Sequence, residues 1–564
     1  MSKATNVCDS TATAGEEDES RNSIYYNSHE NEEAEAKGTH EDEEDEDAYR
    51  LRVYGTTDSD LKGPVTARGV ARRMSRQISR ELSRRRSSVV EQLPKTPQGW
   101  TVLLSAIGTA VLGYEIRLQN SLTKPPITFG QFPDDSIMAK IYQNMTSAGD
   151  SILSRTIQPS LFVGTRGVIS STAAYLLGGP TKGEHLCFRE VVTSTQDGAA
   201  FAIDWEIPLQ VGSRAVPPED AKQHVLKGPI HNPVVVILHG INNDASFGYI
   251  RSLMRTFADR GWNAAGMNFR GCGGIPLKTP HGYNGAYTGD LRNLIMQISG
   301  RLSEDVPVFI VGNSLGANIM TKYLGEEGGS GTLPSCVAGA VSLANPLSIN
   351  SSLVSFPFNI FMGLGIKKYC LENISSFKKM KDPHFQHTLH NAFLSTTIAN
   401  FDRSIARYVL HNETTYPFSS IHGYQSGDAY WTDASSYRYV RDISVPFLNV
   451  SSEDDFLISK PSRNRIGFCL GNPNIMVVET RCGGHLGWQE SPPETDSAFG
   501  STSWSDKATA DFFDSVIKSN MEKFGTRVGQ HQSLGQEADE VDSHVRALLQ
   551  GGSASSSGLR SKLQ

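Results

Sequence analysis

The sequence predicts an α/β fold, a mostly parallel sheet covered by helices on both faces, interrupted by one large helical insertion and preceded by a long region that builds no core. Three observations carry this. From about residue 189 short apolar runs alternate with amphipathic stretches. That rhythm breaks once, over nearly 100 residues between Pro346 and Val445. The charge is also concentrated at the N-terminal end, where apolar residues are scarce.

The N-terminal region comes first. The chain has 564 residues and a net charge of −7, a total that hides its distribution. Residues 1–50 hold 16 acidic and 4 basic side chains, whereas residues 51–100 hold 11 basic and 4 acidic. Such a segment buries too little apolar surface to offset its ordering entropy, so residues 1–98 are expected to be disordered, acidic and then basic. Within it a four-residue unit recurs as Met74-Ser75-Arg76, Ile78-Ser79-Arg80 and Leu82-Ser83-Arg84. On a helix that spacing aligns an apolar edge with an arginine edge, a pattern that suits either a basic membrane-surface helix or a solvated linker. The acidic, polar beginning is neither a secretory signal nor a transit peptide.

Residues 99–114 carry no charge. At ~1.5 Å per residue they span ~24 Å, short of the ~30 Å hydrocarbon core, yet Trp100 and Tyr114 stand where an aromatic belt would put them. Residues 99–115 are therefore expected to be a membrane anchor, with a buried or re-entrant helix as the alternative. More Lys and Arg flank the N-terminal side, which would put the N-terminus in the cytoplasm. Residues 116–188 read as a helical and extended segment.

The core follows. Strands are expected at 189–195, 199–206, 233–239, 262–269, 306–312, 338–344, 445–450 and 475–480, with helices between several of them at 247–260, 290–299 and 315–324. Apolar strands separated by helices imply parallel pairing with both sheet faces covered. The core thus runs through residues 189–346 and 441–524, and the insertion at 347–440 is expected to be a lid, since so long a departure from a regular core usually carries function. Its segment 356–364, Phe-Pro-Phe-Asn-Ile-Phe-Met-Gly-Leu, is an apolar patch with no place in the sheet. Residues 525–564 read as a flexible tail.

Several classes are excluded. Seven scattered cysteines without a Cys-x-x-Cys pair argue against a disulfide scaffold and a cysteine-built zinc site. No Walker loop or strand-linked dinucleotide fingerprint occurs, so no cofactor is expected. The arginine-rich segment lacks interleaved aromatics and adjoins an acidic tail, a poor nucleic-acid surface. His384, His387 and His390 lie three apart, but no carboxylate completes a metal set, and they read as a polar helix face.

One pattern points to chemistry. Gly312-Asn313-Ser314-Leu315-Gly316 is a G-x-S-x-G, weak alone but here preceded by the buried-strand run Val308-Phe309-Ile310-Val311 and followed by a helix. That context holds a serine on a sharp turn at the C-terminal edge of a sheet. Such a nucleophile needs a base, and the base an orienting acid, both later in the chain. His485 sits among glycines in Gly483-Gly484-His485-Leu486-Gly487, just past a strand, and Asp454-Asp455 stand just past another. Open α/β sheets place their sites at such strand ends. Asp455 is the preferred acid because Phe456-Leu457-Ile458 follow it, with Asp454 as the alternative. Oxyanion donors are expected from the Leu315 and Ile241 N–H groups.

With these residues in view the chain resembles the α/β-hydrolase-domain group that contains animal membrane-anchored phospholipases, fungal medium-chain ethyl-ester esterases and plant embryogenesis-associated esterases. The resemblance covers about residues 125–520. It rests also on Arg189-Glu190, Asp197-Gly198, Asp204-Trp205, the segment from Asn268 to Gly274, Thr279-Pro280, Gly289-Asp290-Leu291, Asn345-Pro346, Phe401-Asp402, Tyr430-Trp431 and Ser435-Ser436. One departure is Phe456, where that group commonly has proline. The resemblance implies an α/β-hydrolase fold, structural roles for Arg270 and its glycines, and a serine esterase or lipase acting on lipid-like, medium-chain included, acyl esters. It would lie at a membrane, that of the endoplasmic reticulum, with lipid ester and membrane surface as partners. An acyltransferase and an inactive lipid-binding module are the alternatives.

Overall fold

A computed structural model describes residues 96–147, 151–177, 185–211, 214–409, 419–420, 423–463, 466–491 and 502–519. The acidic region, the arginine-serine repeat and the tail expected at 525–564 lie outside the described residues. The chain divides into two units, Met1–Leu104 and Ser105–Gln564.

The described part opens with helix α1 (Pro97–Leu122), 26 residues long and therefore ~39 Å. It runs through the expected boundary at residue 115. Trp100–Leu122 is, among the described residues, the one helix long and apolar enough by length and composition to cross a membrane. Polar residues do not end it at 115 because the fold receives them: Glu115 is buried against Arg166 and accepts from Thr165 (3.0 Å), and Gln119 donates to the Pro159 carbonyl (2.7 Å).

Nine strands form one sheet: β1 (Ile127–Phe129), β2 (His185–Thr193), β3 (Ala200–Pro208), β4 (Val234–Leu238), β5 (Asn263–Asn268), β6 (Val308–Asn313), β7 (Val337–Leu343), β8 (Phe447–Ser452) and β9 (Ile475–Thr480). Their order is β1-β9-β8-β7-β6-β4-β5-β3-β2. The run from β9 to β5 is parallel, while β1, β3 and β2 join antiparallel at the edges. The eight expected strands all occur. The unforeseen one is β1, three residues too short to show a period.

Alternation along these strands builds two cores. Val234, Val236, Val308, Ile310, Phe447 and Ile475 face one way, against Leu294 and Ile298 of α6 and Met320 and Leu324 of α7. Val235, Ile237, Phe309, Val311, Leu448 and Met476 face the other, against Leu253 and Phe257 of α5 and Trp504 and Phe513 of α12. The helices of eight residues or more among the described residues are, in chain order after α1, α2 (Ile137–Thr146), α3 (Gly167–Leu176), α4 (Pro218–Lys227), α5 (Gly248–Ala258), α6 (Gly289–Ser299), α7 (Leu315–Ser330), α8 (Phe358–Glu372), α9 (Phe385–Leu394), α10 (Ile398–Ile405), α11 (Gly427–Ala434) and α12 (Trp504–Lys518). Between β7 and β8 the described chain is helical, α8 to α11, with one two-residue hairpin pair. His384, His387 and His390 are exposed there.

Candidate active site

Ser314 stands between β6 and α7 with φ 53° and ψ −115°, outside the regions an L-residue prefers. Such a conformation costs on the order of 1–3 kcal/mol and persists only where the surroundings enforce it. The two flanking glycines show how. A Cβ on Gly316 would lie 2.6 Å from the His239 carbonyl oxygen, and one on Gly312 would run into Ala317 of the following helix. The glycines thus let strand and helix close on each other, and the serine is left at the apex.

His485 meets the serine from the β9 end of the sheet. Its Nε2 is 2.8 Å from Ser314 Oγ, and its Nδ1 is 3.0 Å from Asp455 Oδ2. An ionised carboxylate only accepts, so Nδ1 carries the proton and Nε2 is left to accept from the serine hydroxyl. All three side chains are buried. Asp455 is itself fixed: its Oδ1 accepts the Leu457 (2.9 Å) and Ile458 (3.0 Å) N–H groups, a turn that follows β8. The sequence alternative, Asp454, points elsewhere and accepts the Gly484 N–H (2.8 Å). Burial raises the Asp454 carboxyl above its ordinary range. Gly484 has φ +60°, and a Cβ there would run into the Gly167 carbonyl, so the loop presses directly on α3. Ser171 of α3 accepts the His485 N–H (2.8 Å).

The turn after β4 lies against Ser314, since a Cβ on Gly240 would be 3.4 Å from Ser314 Cβ. Its amides are held on both sides of Ile241: Gly240 N–H donates to the Tyr249 hydroxyl (2.9 Å) and Asn242 N–H to that of Tyr283 (3.1 Å). Leu315 opens α7, where first-turn N–H groups have no carbonyl of their own helix to meet. His239, the histidine nearest this turn, is fully buried and donates from Nδ1 to the Gly240 carbonyl while Nε2 accepts the Phe269 N–H. Burial pulls its pKa down to about 4, so the ring stays neutral, with both nitrogens engaged by these backbone groups. No group of three or more His, Cys, Asp or Glu side chains able to hold a metal occurs among the described residues.

Strand order, helices on both faces and a serine on the strand-to-helix apex beside a histidine and an acid decide the fold. The chain has the α/β-hydrolase fold. Residues 233–492 match the family model described as α/β hydrolase fold. An embryogenesis-associated protein of Picea glauca is 26% identical over 421 residues, covering 73% of this chain and 81% of that protein. A monoacylglycerol lipase of Saccharomyces cerevisiae is 28% identical over 281 residues, covering 48% of this chain and 57% of its own length. The human phospholipase ABHD3 is 24% identical over 306 residues, covering 54% of this chain and 67% of that enzyme. The α/β-hydrolase relatives of this chain therefore include enzymes named for lipid esters and the plant protein group that the sequence resembles.

Sequence reasoning missed the supports of this site. Tyr249, Tyr283, Ser171 and Asn243 hold its loops, and none sits in a motif. Ser171 acts on His485, 314 residues away, from a helix with no charge to mark its faces; Tyr249 lies on a helix whose apolar period is visible, but its hydroxyl reaches Gly240 and Asn243 only because the loop after β4 folds back on it.

Proposed function

We propose that this α/β-hydrolase chain is a serine carboxylic-ester hydrolase acting on lipid-like acyl esters, medium-chain esters among them. The observation that carries the reading is the unbroken hydrogen-bonded path from Ser314 Oγ through His485 to Asp455. Ser314 attacks the acyl carbon as His485 Nε2 takes the hydroxyl proton. Asp455 holds the ring in that tautomer and stabilises the imidazolium. The Leu315 and Ile241 N–H groups receive the oxyanion. The histidine then protonates the leaving alcohol oxygen, and a water, deprotonated by the same nitrogen, cleaves the acyl-serine ester.

Lipid esters are favoured by the names of the relatives and by the apolar surface around the site. Phe358 packs on Phe456, beside Asp455, with ring centroids 4.7 Å apart, while Phe361 stays 62% exposed. In this reading residues 347–440 form a lid, and position 456 carries phenylalanine rather than proline because the lid uses it as a seat. The exposed stretch of α1 is read as a membrane anchor with a cytoplasmic N-terminus, in the endoplasmic reticulum.

A fluorophosphonate probe on purified protein tests the nucleophile. Wild type should be labelled and hydrolyse a soluble ester. Ser314→Ala should do neither while keeping its circular dichroism, since losing the nucleophile of a working triad costs on the order of a millionfold. Activity of Ser314→Ala within tenfold of wild type would remove the assignment, and an unlabelled, inactive wild type would favour a lipid-binding module.

A further inference from the structure

Helix α3, Gly-Val-Ile-Ser-Ser-Thr-Ala-Ala-Tyr-Leu, contains no charge, yet its outer face is bare. Val168 is 46% exposed, Ile169 42% and Leu176 75%. Thr172, on the same face, turns its hydroxyl back onto the Val168 carbonyl (2.8 Å) and offers solvent little. A surface helix of a soluble domain normally shows charged or polar side chains outward, and a contiguous apolar face marks an interaction site.

We propose that α3 is a membrane-surface helix, its outer face lying on the lipid bilayer while its inner face supports the reacting loops. The proposal rests on the reading of α1 as a membrane anchor. The bilayer is chosen as occupant because of where α3 begins. Arg166, the residue before it, pairs with Glu115, and Thr165 donates to the same carboxylate. Glu115 is the first charged residue after the uncharged run 99–114. If that run enters hydrocarbon, Glu115 marks the level at which α1 leaves it, and α3 starts from that level. An uncharged helix with an apolar outer face at that depth has the character of an interfacial helix, with Arg166 placed for lipid phosphates.

The inner face gives the contact a consequence. Ser171 holds the His485 N–H, and Ser170 holds that of Gln489 (3.2 Å). Tyr175 receives a hydrogen bond from Asn243 (3.1 Å), whose amide also donates to Tyr249 (2.9 Å), the acceptor of the Gly240 N–H. One helix therefore backs both the histidine loop and the oxyanion turn. Seating it on lipid would fix both at the surface that supplies the substrate.

The test uses the full chain with phosphatidylcholine–phosphatidylserine vesicles, comparing wild type with Ile169→Asp/Leu176→Asp and with the milder Ile169→Gln. Three quantities are read: flotation with vesicles, hydrolysis of an ester dissolved in them, and hydrolysis of water-soluble p-nitrophenyl acetate. The double variant should still float through α1, lose at least tenfold on the vesicle ester and change less than twofold on the soluble one. Vesicle activity within twofold of wild type, or equal loss on both substrates, overturns the proposal while leaving the anchor intact; the second result would fit a structural role or a protein partner. A wild type that does not float removes the anchor and the proposal with it. Should the charged variant not fold, bimane on Leu176→Cys in a Cys8→Ser/Cys187→Ser/Cys336→Ser background gives the answer. Quenching by lipid carrying a doxyl group near the headgroup supports the contact, and its absence refutes it.

Discussion

Replacing Asp455 with asparagine tests the proposed mechanism at its least obvious point. The two carboxylate oxygens do different things: Oδ2 accepts from His485 Nδ1, and Oδ1 accepts the Leu457 and Ile458 N–H groups. An asparagine satisfies those two backbone donors only by turning its carbonyl oxygen toward them. Its NH2 group then faces His485 Nδ1. Donor cannot face donor, so the ring proton moves to Nε2, the nitrogen 2.8 Å from Ser314 Oγ. A protonated Nε2 takes no proton from the serine. The same tautomer error in a serine protease lowers kcat by about 10⁴, which at 1.36 kcal/mol per tenfold is about 5.4 kcal/mol of barrier. Asp454→Asn should behave differently, because the Gly484 N–H needs only an acceptor and asparagine retains one; its kcat should stay within tenfold. The measurement is kcat on a soluble short-chain ester, with circular dichroism as the control for folding. An Asp455→Asn enzyme keeping more than a tenth of wild-type kcat, or an Asp454→Asn enzyme losing more, would refute the argument.

Other consequences follow from the same contacts. Phe361→Asp should cost at least fivefold on vesicle-borne ester and little on a soluble one, whereas Phe358→Asp should lower both because its ring seats on Phe456 beside the acid. Lys322 is buried between Asp433 (2.7 Å) and Glu326 (3.1 Å), so Lys322→Met should lower stability in urea by about 3–5 kcal/mol by leaving Asp433 uncompensated, and adding Asp433→Asn should restore much of it. Burial raises the Asp506 carboxyl to about 6. The folded state then holds the proton longer than the unfolded one, so this group's stabilisation is whole below pH ~4 and is lost as pH rises through about 6, a change of about 3 kcal/mol. Asp506→Asn keeps the Ser252 partnership without a charge, so its stability relative to wild type should climb between pH 4 and 7 in chemical denaturation; a flat difference would contradict this.

The parts of the fold that show in the sequence are those governed by short-range period. Strands buried on both sides read as unbroken apolar runs, as at Val234–Leu238, and the elbow declares itself because glycines must flank a serine packed between strand and helix. Edges are harder. Strand β1 is three residues whose pairing with β9 is decided by a partner 350 residues away. The expected anchor stops at residue 115 because a charge there ends the apolar run. The helix continues because Arg166 neutralises that charge, and nothing within one turn of Glu115 announces Arg166.

The residues that carried the family resemblance obey neither rule, and the structure gives them a common physical reason. Arg189 pairs with Asp204, which also accepts from Asn268; Trp205 donates to Glu190. Arg270, fully buried, is shared between Asp197 and Asp290. Trp431 donates to Asp402, Asn345 to Thr321, and Ser436 N–H to Asn318, one turn past Ser314 on α7. Arg189 itself stays exposed, but the others are polar or charged groups in or near the interior that are affordable only because their partners are present, since a buried group left unpaired costs about 1–3 kcal/mol and a buried charge more. Substituting either partner alone therefore leaves the other without its hydrogen-bonding or charged partner. Their members are spread from Arg189 to Ser436 because the sheet brings distant segments side by side. One of these ties, Asn318 to Ser436, together with the Lys322–Asp433 ion pair, joins helix α7 to residues 433–436. The geometry at Ser314 and the seat of the proposed lid are thus held by one set of buried contacts, which is why positions remote from the apex in sequence mark the same fold as the apex itself.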